Sequence, residues 1–423
     1  MASQPQNSIV QYNGGGIQIY RYVYTVRNMQ MTIANQTYTF EDGTCVYCII
    51  RHDFIHRRFP IIQIGIEMDS DLIETYFQNK ENVKLKIDIY EQQLDENDQI
   101  MNTTLYLRYT FDCISARDQT AYITTPDYVS QQAVDEMRRL QLMELYLIDM
   151  EMVNTFAKEI AVILEDCSKA SALQLCFMDR EVQPGVVIAT PPQYERTIDY
   201  VSIPLGDLVA NINTLNEKYG LYDGTPIIYY DYKNIYCLNS LTPDIKIQST
   251  TEFGNVTFLL LDQSNQEHNI VGSTTLADQK THLINLQNEP EIYDTSERSS
   301  STKFATLLTV ESNGTVNQRT MDPNTTKVHF IRQQNELTQD QYVNDVMTGH
   351  VLSINTNSCC VSFLKPYKAY YFQVGPQYTD KGLTGHEYRL TELIIDIQRD
   401  KPDKYKHSVR IRLQKPYEDP TRQ

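Results

Sequence analysis

Residues 203–238 read IPLGDLVANINTLNEKYGLYDGTPIIYYDYKNIYCL. The first half of this stretch carries apolar residues at helical spacing, which predicts a helix with one apolar face. These residues are Leu205, Leu208, Val209, Ile212 and Leu215. Pro204 lies just before the predicted helix, where its missing amide hydrogen costs nothing. Gly220 is placed to end the helix in a left-handed cap.

The second half of the stretch predicts a β-hairpin. An Asp-Gly pair at 223–224 indicates a turn, which Pro226 ends. Residues 227–232 then read as an apolar and aromatic strand, and residues 235–238 read as its partner. A helix followed by a hairpin indicates a small α+β unit.

The length, net charge and composition of the chain limit the class of protein. The chain has 423 residues, which is too long for one compact core and predicts about two to four domains. A net charge of −17 argues against tight binding of nucleic acid but leaves open a channel that conducts DNA without holding it. Tyrosine is abundant, at 30 residues, and tryptophan is absent, which favours strands and broad protein–protein contacts.

Targeting signals are not evident in the sequence. No apolar run approaches the roughly 20 residues that span a bilayer. The N-terminal sequence MASQPQNSIV lacks the basic and apolar regions of a secretory signal. Most of the eight cysteines are scattered singly, which is typical of reduced, buried thiols. We therefore expect a protein that is made in the cytosol.

A first block, residues 18–116, predicts an antiparallel rolled sheet or small barrel with one short helix at 71–78. Its clearest strand is 83–90, where apolar residues alternate with polar ones. We also expect residues 37–50 to form a hairpin. The remaining strands are predicted at 18–32, 60–68 and 103–114.

The composition and the predicted elements change in the middle of the chain. Two helices are predicted first, at 128–142 and 168–177, with a strand at 159–164 between them. Residues 245–261 look like two strands. The polar region 262–321 reads as a linker or extended loops, with a strand at 304–310 as the alternative. A strand at 327–332 and a helix at 338–347 follow.

A last block, residues 349–415, is predicted to be all β. Its strands are expected at 351–355, 360–363, 369–374, 385–399 and 407–413.

Three separated segments resemble the hub proteins of phage tails and, more distantly, the hub part of type VI secretion spike proteins. The first contains KYGLYDG and the hairpin after it. The second is the FPI strand, the acidic helix and the alternating strand of the first block. The third combines FLKPYKAYYF, GHEYRLTELIIDIQR and VRIRL of the last block. They occur in the order expected for that family and cover most of the chain.

The resemblance implies an α+β, mainly β fold. Two tube-like antiparallel β-barrel or rolled-sheet domains, at 1–122 and 349–423, would flank inserted regions. One insertion is an α+β domain at 123–250, and the other is a polar, loop-rich β region at 251–348. In that arrangement, strands 83–90 and 409–413 would form a tube wall with polar, on balance acidic, side chains towards the lumen.

The resemblance also implies a function. The chain would be a structural virion protein, made in the host cytoplasm, that forms a homotrimeric hub at the distal end of a tail tube. It would adapt a sixfold tube to a threefold spike and line a channel for genomic DNA without binding it specifically. Tube subunits, a separate spike protein and other baseplate proteins would be its partners. It would be no enzyme, with no catalytic, cofactor or metal site.

One set of residue types suits a metal. Cys45, Cys48, His52 and His56 are zinc-capable ligands, but their spacing is far shorter than in a zinc finger. On a regular strand the two cysteines would face opposite sides. Buried thiols and polar-face histidines are the alternative, so metal binding stays open.

Other groups of residues are weaker candidates for a functional site. The glycine-rich residues 13–16 lack the Lys-Ser/Thr of a phosphate loop, and the neighbours Cys359 and Cys360 cannot readily form a disulfide. Basic residues occur only as isolated pairs, for which surface or interface ion pairs are the ordinary role. These pairs are Arg57 with Arg58 and Arg138 with Arg139.

Two alternative functions remain from the sequence. One is another baseplate subunit, such as a wedge or an adaptor. The other is a cell-wall glycan hydrolase, for which paired carboxylates would be needed. The candidate pairs are Glu165 with Asp166 and Asp223 with Asp231.

Overall fold

The computed structural model describes residues 20–95, 97–118, 140–182, 186–192, 195–222, 224–240, 255–260, 272–275, 281–293, 305–310, 316–321, 351–357, 359–375, 378–401 and 404–415. These residues form a mainly β fold with large antiparallel sheets and few helices. The helices are α1 (Ser70–Gln78), α2 (Met150–Ala157), α3 (Lys169–Met178) and α4 (Leu208–Tyr219).

The strands fall in two groups along the chain. Those before residue 240 are β1 (Arg21–Ile33), β2 (Gln36–Thr39), β3 (Cys45–Asp53), β4 (Ile61–Asp69), β5 (Val83–Leu94), β6 (Ile100–Asp118), β7 (Leu140–Ile148), β8 (Ile160–Ser168), β9 (Val187–Ala189), β10 (Thr197–Gly206), β11 (Pro226–Tyr230) and β12 (Ile235–Asn239). Those after it are β13 (Asn255–Leu260), β14 (Gly272–Thr275), β15 (Thr281–Asn285), β16 (Glu291–Tyr293), β17 (Ala305–Val310), β18 (Val316–Met321), β19 (Val351–Thr356), β20 (Tyr370–Val374), β21 (Arg389–Lys401) and β22 (Lys404–Gln414).

The largest sheet has eleven strands in the order β16–β19–β22–β21–β3–β4–β7–β6–β5–β1–β2. Strands of the first and last blocks belong to this one sheet because β21 pairs antiparallel with β3, for example with Ile395 opposite Ile50. No hydrogen-bonded barrel closes among the described strands. Instead the sheet rolls until Tyr24 of β1 meets His407 of β22, with ring centroids 4.9 Å apart.

The alternation predicted for β5 is confirmed, and β22 has the same period. Leu85, Ile87 and Ile89 of β5 are fully buried, and Val409, Ile411 and Leu413 of β22 are buried as well. This period of two places one side of each strand in the core and the other in solvent. The predicted apolar face of β4 is confirmed in the same way by the buried side chains of Ile62, Ile64 and Ile66.

The helix of the opening stretch is confirmed, with a correction at its start. It begins after Asp207, whose side chain accepts a hydrogen bond of 2.7 Å from the backbone N–H of Ala210. Pro204 and Leu205 belong to β10 instead, and Leu205 is 67% exposed. Gly220 ends the helix with φ 66°, the left-handed cap expected from the sequence.

Four other expectations are wrong within the described residues. Residues 37–50 form no hairpin, because β2 pairs only with β1 while β3 pairs with β4 and β21. The segment expected as a strand at 360–363 is a 3-10 turn, Val361–Phe363. Helix α2 was not predicted, and residues 140–142, expected to end a helix, belong to β7. The region read as a linker at 262–321 contains β14 to β18, so its alternative strand at 304–310 is realised as β17.

Some expectations lie outside the described residues. They are the rest of the helix at 128–142, the strand at 327–332 and the helix at 338–347. Of the two strands expected at 245–261, only the part at β13 is described.

The α+β unit between the two ends of the sheet is held by a buried cation. The Arg180 side chain, 3% exposed, follows α3 and donates hydrogen bonds to oxygens of uncharged groups. Its acceptors are the carbonyls of Lys158 at 3.0 Å, Cys176 at 2.6 Å and Gly206 at 3.0 Å and Oδ1 of Asn211 at 2.8 Å. Because these acceptors come from several segments, one guanidinium fixes α3 against β10 and α4.

Gly65 on β4 generates a stability prediction. A Cβ at this position would lie 2.4 Å from Cε1 of Tyr47, whose hydroxyl donates to Glu144 at 2.5 Å. Replacing Gly65 by Ala should therefore displace the ring and cost about 1–2 kcal/mol in urea unfolding. In a Tyr47→Ala background the same change should cost clearly less. Equal costs in both backgrounds would contradict the steric explanation.

Candidate functional site

The four zinc-capable residues are not gathered into one site. A register shift between Cys45 and Tyr47 in the pairing of β3 with β4 is a bulge, and Cys45 and Cys48 are both fully buried. The expectation that the two thiols face opposite sides is thereby corrected. His52 is buried, whereas His56 lies on an exposed turn and contacts Asp53 at 3.1 Å. Among the described residues, no three metal-ligating side chains converge.

The other sequence candidates are also separated. Glu165 and Asp166 lie exposed near the end of β8, and Asp231 lies in the turn between β11 and β12. Cys359 and Cys360 are buried thiols that are not joined in a disulfide. Asp223, residues 13–16 and the pair at 138–139 lie outside the described residues.

The hairpin β11–β12 is largely buried and packs against the large sheet. Four of its aromatic side chains form what we call the tyrosine plug, namely Tyr229, Tyr230, Tyr232 and Tyr236. Tyr232 lies in the turn at φ 70° and is 7% exposed. Its hydroxyl donates to the carbonyl of Pro60 at 3.0 Å, and its ring meets Phe111 edge-on at 4.9 Å. A large side chain therefore holds a conformation that non-glycine residues rarely adopt.

The rest of the tyrosine plug contacts several strands of the sheet. Tyr229 packs edge-on against Phe54 at 4.6 Å, and its hydroxyl lies 2.9 Å from Nδ1 of His52. The hydroxyl of Tyr230 lies 3.3 Å from that of Tyr109 on β6. The hydroxyl groups of the plug thus have hydrogen-bond partners, while its rings bury large apolar areas.

Asp231 shapes the turn that carries the plug. Its Oδ1 accepts backbone N–H bonds from Asn234 at 2.7 Å and Lys233 at 3.1 Å. Its Oδ2 accepts from the Tyr236 hydroxyl at 2.7 Å and lies 3.6 Å from Nζ of Lys365. This carboxylate is therefore a turn former and an ion-pair partner, which is the ordinary role of Asp at such positions.

A second buried carboxylate ties the two ends of the chain together. Glu91 of β5, 9% exposed, accepts bonds from the Tyr24 hydroxyl, from Sγ of Cys360 at 3.3 Å and from the Ser362 hydroxyl at 2.8 Å. The Tyr24 oxygen in turn accepts the backbone N–H of Val361 at 2.7 Å. Burial raises the pKa of both Tyr24 and Cys360, so both remain protonated donors.

The solvent side of the sheet is polar and mixed in charge. Strand β22 exposes Lys404, Lys406, Arg410 and Arg412 on one face. Some cations are neutralised by carboxylates of the same sheet, as in the pairs of Arg412 with Glu392 at 2.8 Å and of Arg108 with Asp88 at 2.7 Å. On β22 this face is thus basic.

Sequence reasoning missed the residues that join these elements. Glu91, Tyr24 and His407 meet only in the fold, and no spacing in the sequence brings them together. The cations of β22 could be recognised from the sequence, because they alternate with the apolar residues Val409, Ile411 and Leu413.

Residues 19–401 match the family of the bacteriophage PBS1 gene 109 protein. The chain belongs to this family. Its recognition from the sequence as a phage-type protein is thereby confirmed. No curated protein sequence matches the chain. Among the described residues, no helix is both long and apolar enough to cross a membrane.

Solved structures similar to this family member come from several bacteria. A tail protein from Neisseria meningitidis MC58 has 10% identity and a TM-score of 0.47, with 93% of this chain and 97% of that chain covered. The E. coli c3393 protein, a type VI secretion component with structural similarity to the T4 tail proteins gp27 and gp5, has 10% identity and a TM-score of 0.44, covering 94% and 77%. The 43 kDa tail protein of prophage MuSo2 from Shewanella oneidensis has 7% identity and a TM-score of 0.45, covering 92% and 98%.

His52 predicts a pH dependence of stability. Burial lowers its pKa from 6.5 to about 4, with Asp231 opposing and Lys365 adding to the shift. As the pH falls below 6.5, the unfolded chain gains a proton that the folded chain excludes, so stability is lost down to about pH 4. His52→Gln should reduce the slope of unfolding free energy against pH in this window by up to about 1.4 kcal/mol per pH unit. Equal slopes for wild type and His52→Gln would contradict the assignment.

The Glu91 cluster predicts a second effect. Tyr24→Phe removes one donor to Glu91 and leaves the buried N–H of Val361 without its acceptor. We expect a loss of about 1–3 kcal/mol in unfolding free energy, measured by urea denaturation. Tyr38→Phe, at a half-buried tyrosine of the same sheet, should change stability by less than about 0.5 kcal/mol. A loss for Tyr24→Phe no larger than that of this control would rule out the bridging role.

Proposed function

We propose that the chain is a structural tail protein that forms the homotrimeric hub at the distal end of a phage tail tube. The observation that carries the proposal is the pairing of β21 with β3, which places the strands of the first and last blocks side by side in one sheet. Two tube-like units per chain, at 1–122 and 349–423, would give six units in a trimer. Residues 123–250 and 251–348 would be insertions between them.

This arrangement is suited to a change of symmetry. Six similar units can continue a sixfold tube above, while three identical chains present a threefold surface to a spike below. Closed symmetry limits the number of copies, and large interfaces make such rings stable. The backbone ladder between β21 and β3 keeps the two units of one chain in a fixed relation, which a tube wall requires.

The polar side of the sheet is suited to a channel. Its charged side chains would face water and passing DNA. Some of its cations are paired with carboxylates, such as Arg412 with Glu392, which reduces the positive charge that could hold phosphates. The net charge of −17 acts in the same direction. DNA would therefore pass without specific binding, and the protein would act as a structural part and not as an enzyme.

The partners and location follow from this role. The hub would contact tail-tube subunits on one side and a separate spike protein on the other, with further baseplate proteins around it. Its place would be the tail of the virion.

Imaging of the purified chain by electron microscopy tests the proposal. We expect class averages of a threefold ring with a central hole, together with a solution mass of three chains. A monomer in the absence and presence of tube subunits would overturn the trimeric hub. A compact particle without a hole would favour a wedge or adaptor subunit, and lysis of cell-wall glycan in a zymogram would favour a hydrolase.

A further inference from the structure

The two-stranded ribbon of β8 and β10 exposes an apolar face. Three large side chains on it are strongly exposed, namely Ile163 at 65%, Leu205 at 67% and Tyr200 at 53%. The opposite face, with Val162, Val201 and Ile203, is buried. Among the described strands β8 and β10 pair only with each other. Part of the β10 edge is occupied, because the Tyr219 hydroxyl bonds the backbone N–H and carbonyl of Ser202. The exposed apolar side chains of the ribbon mark an interaction surface.

The ribbon is also acidic. Glu165, Asp166 and Asp199 are exposed on it and make no ion pair with any residue that the structure describes. A partner surface that fits should therefore be apolar in its centre and basic at its edge.

The turn after β3 combines an apolar side chain with basic ones, as such a partner surface should. It exposes Ile55 at 38%, and it carries the exposed residues His56 and Arg57. The turn is fixed by Asp53, whose Oδ1 accepts the backbone N–H of His56 at 2.9 Å and whose carbonyl accepts that of Arg57 at 3.2 Å. The guanidinium of Arg57 has no carboxylate partner within the described part of the chain. A pre-organised apolar and basic knob binds with a smaller loss of conformational entropy than a flexible one.

In a closed ring of identical copies, one surface of each chain contacts a different surface of the next chain. The knob of one copy can therefore bind the ribbon of its neighbour.

We propose that the β8–β10 ribbon of one chain binds the Ile55–Arg57 knob of a neighbouring copy. The occupant is a second copy of this chain because the complementary apolar and basic surface is present in the chain itself. The inference rests on the proposed trimeric hub and names one of its interfaces.

A charge swap in the full chain tests this interface. Sedimentation velocity and mass photometry over a concentration series give the stoichiometry and the concentration of half-dissociation. Arg57→Glu and Glu165→Lys should each raise that concentration by roughly tenfold, and the double variant should return it to within about threefold of wild type. Ile163→Asp should weaken assembly further. Lys80→Glu and Glu81→Lys, at exposed positions after α1, are the matched controls and should have no effect.

The outcomes separate this inference from the proposed function. A wild-type trimer that none of the ribbon or knob variants weakens overturns the interface and leaves the hub proposal standing. Weakening without rescue in the double variant also overturns the pairing of knob with ribbon. A dimer that the single variants break and the swap restores supports the interface and overturns the trimer. A wild-type monomer at all concentrations overturns both. Urea unfolding of each variant confirms that it folds.

Discussion

The burial of the hairpin β11–β12 against the large sheet is the contact on which much of the structure depends. Tyr232 occupies a left-handed backbone conformation at the tip of the hairpin, where its ring packs on Phe111 and its hydroxyl reaches Pro60. Such a conformation costs about 1–2 kcal/mol for a residue with a Cβ. Burial of a tyrosine ring among aromatic neighbours offsets this cost. The hairpin therefore contributes its aromatic side chains to the same buried core as the strands of the sheet.

The two ends of the chain are joined in two independent ways. Backbone pairing of β21 with β3 makes their strands one ladder, and the buried Glu91 bonds the segment at 360–362 to β1 and β5. Both joins connect residues that are far apart in the sequence. Because such non-local contacts carry a large loop-closure cost, we expect the sheet to form late and cooperatively.

Burial of neutral histidines at these joins makes the fold sensitive to acid. Burial lowers the pKa of His407 to about 4 and that of His282 to about 3, with Lys368 adding to the latter shift. Like His52, each would have to remain uncharged in the folded chain while the unfolded chain accepts a proton below pH 6.5. The loss of folding free energy at low pH therefore arises in the parts of the structure that hold separate elements together.

Local patterns in the sequence determined the elements with a clear period or a clear cap. The strands β4, β5 and β22, the helix α1 and the end of α4 at Gly220 follow from spacing that any neighbouring structure must respect. Leu205 was misassigned because it fits the helical spacing, while the cap at Asp207 sets the start of the helix later in the chain. Apart from β17, which the sequence offered as an alternative, the strands between β14 and β18 have no strong alternation, so their pairing could not be predicted from composition.

The sequence by itself determined the mainly β class, the helix-and-hairpin unit and the alternation of the wall strands, because these depend on residues close together in the chain. Only the tertiary structure decided that β21 pairs with β3, that the hairpin packs against β6 and the turn after β3, and that Glu91 bridges both ends. Those features depend on hydrogen bonds and packing between distant residues, for which the sequence contains no spacing signal.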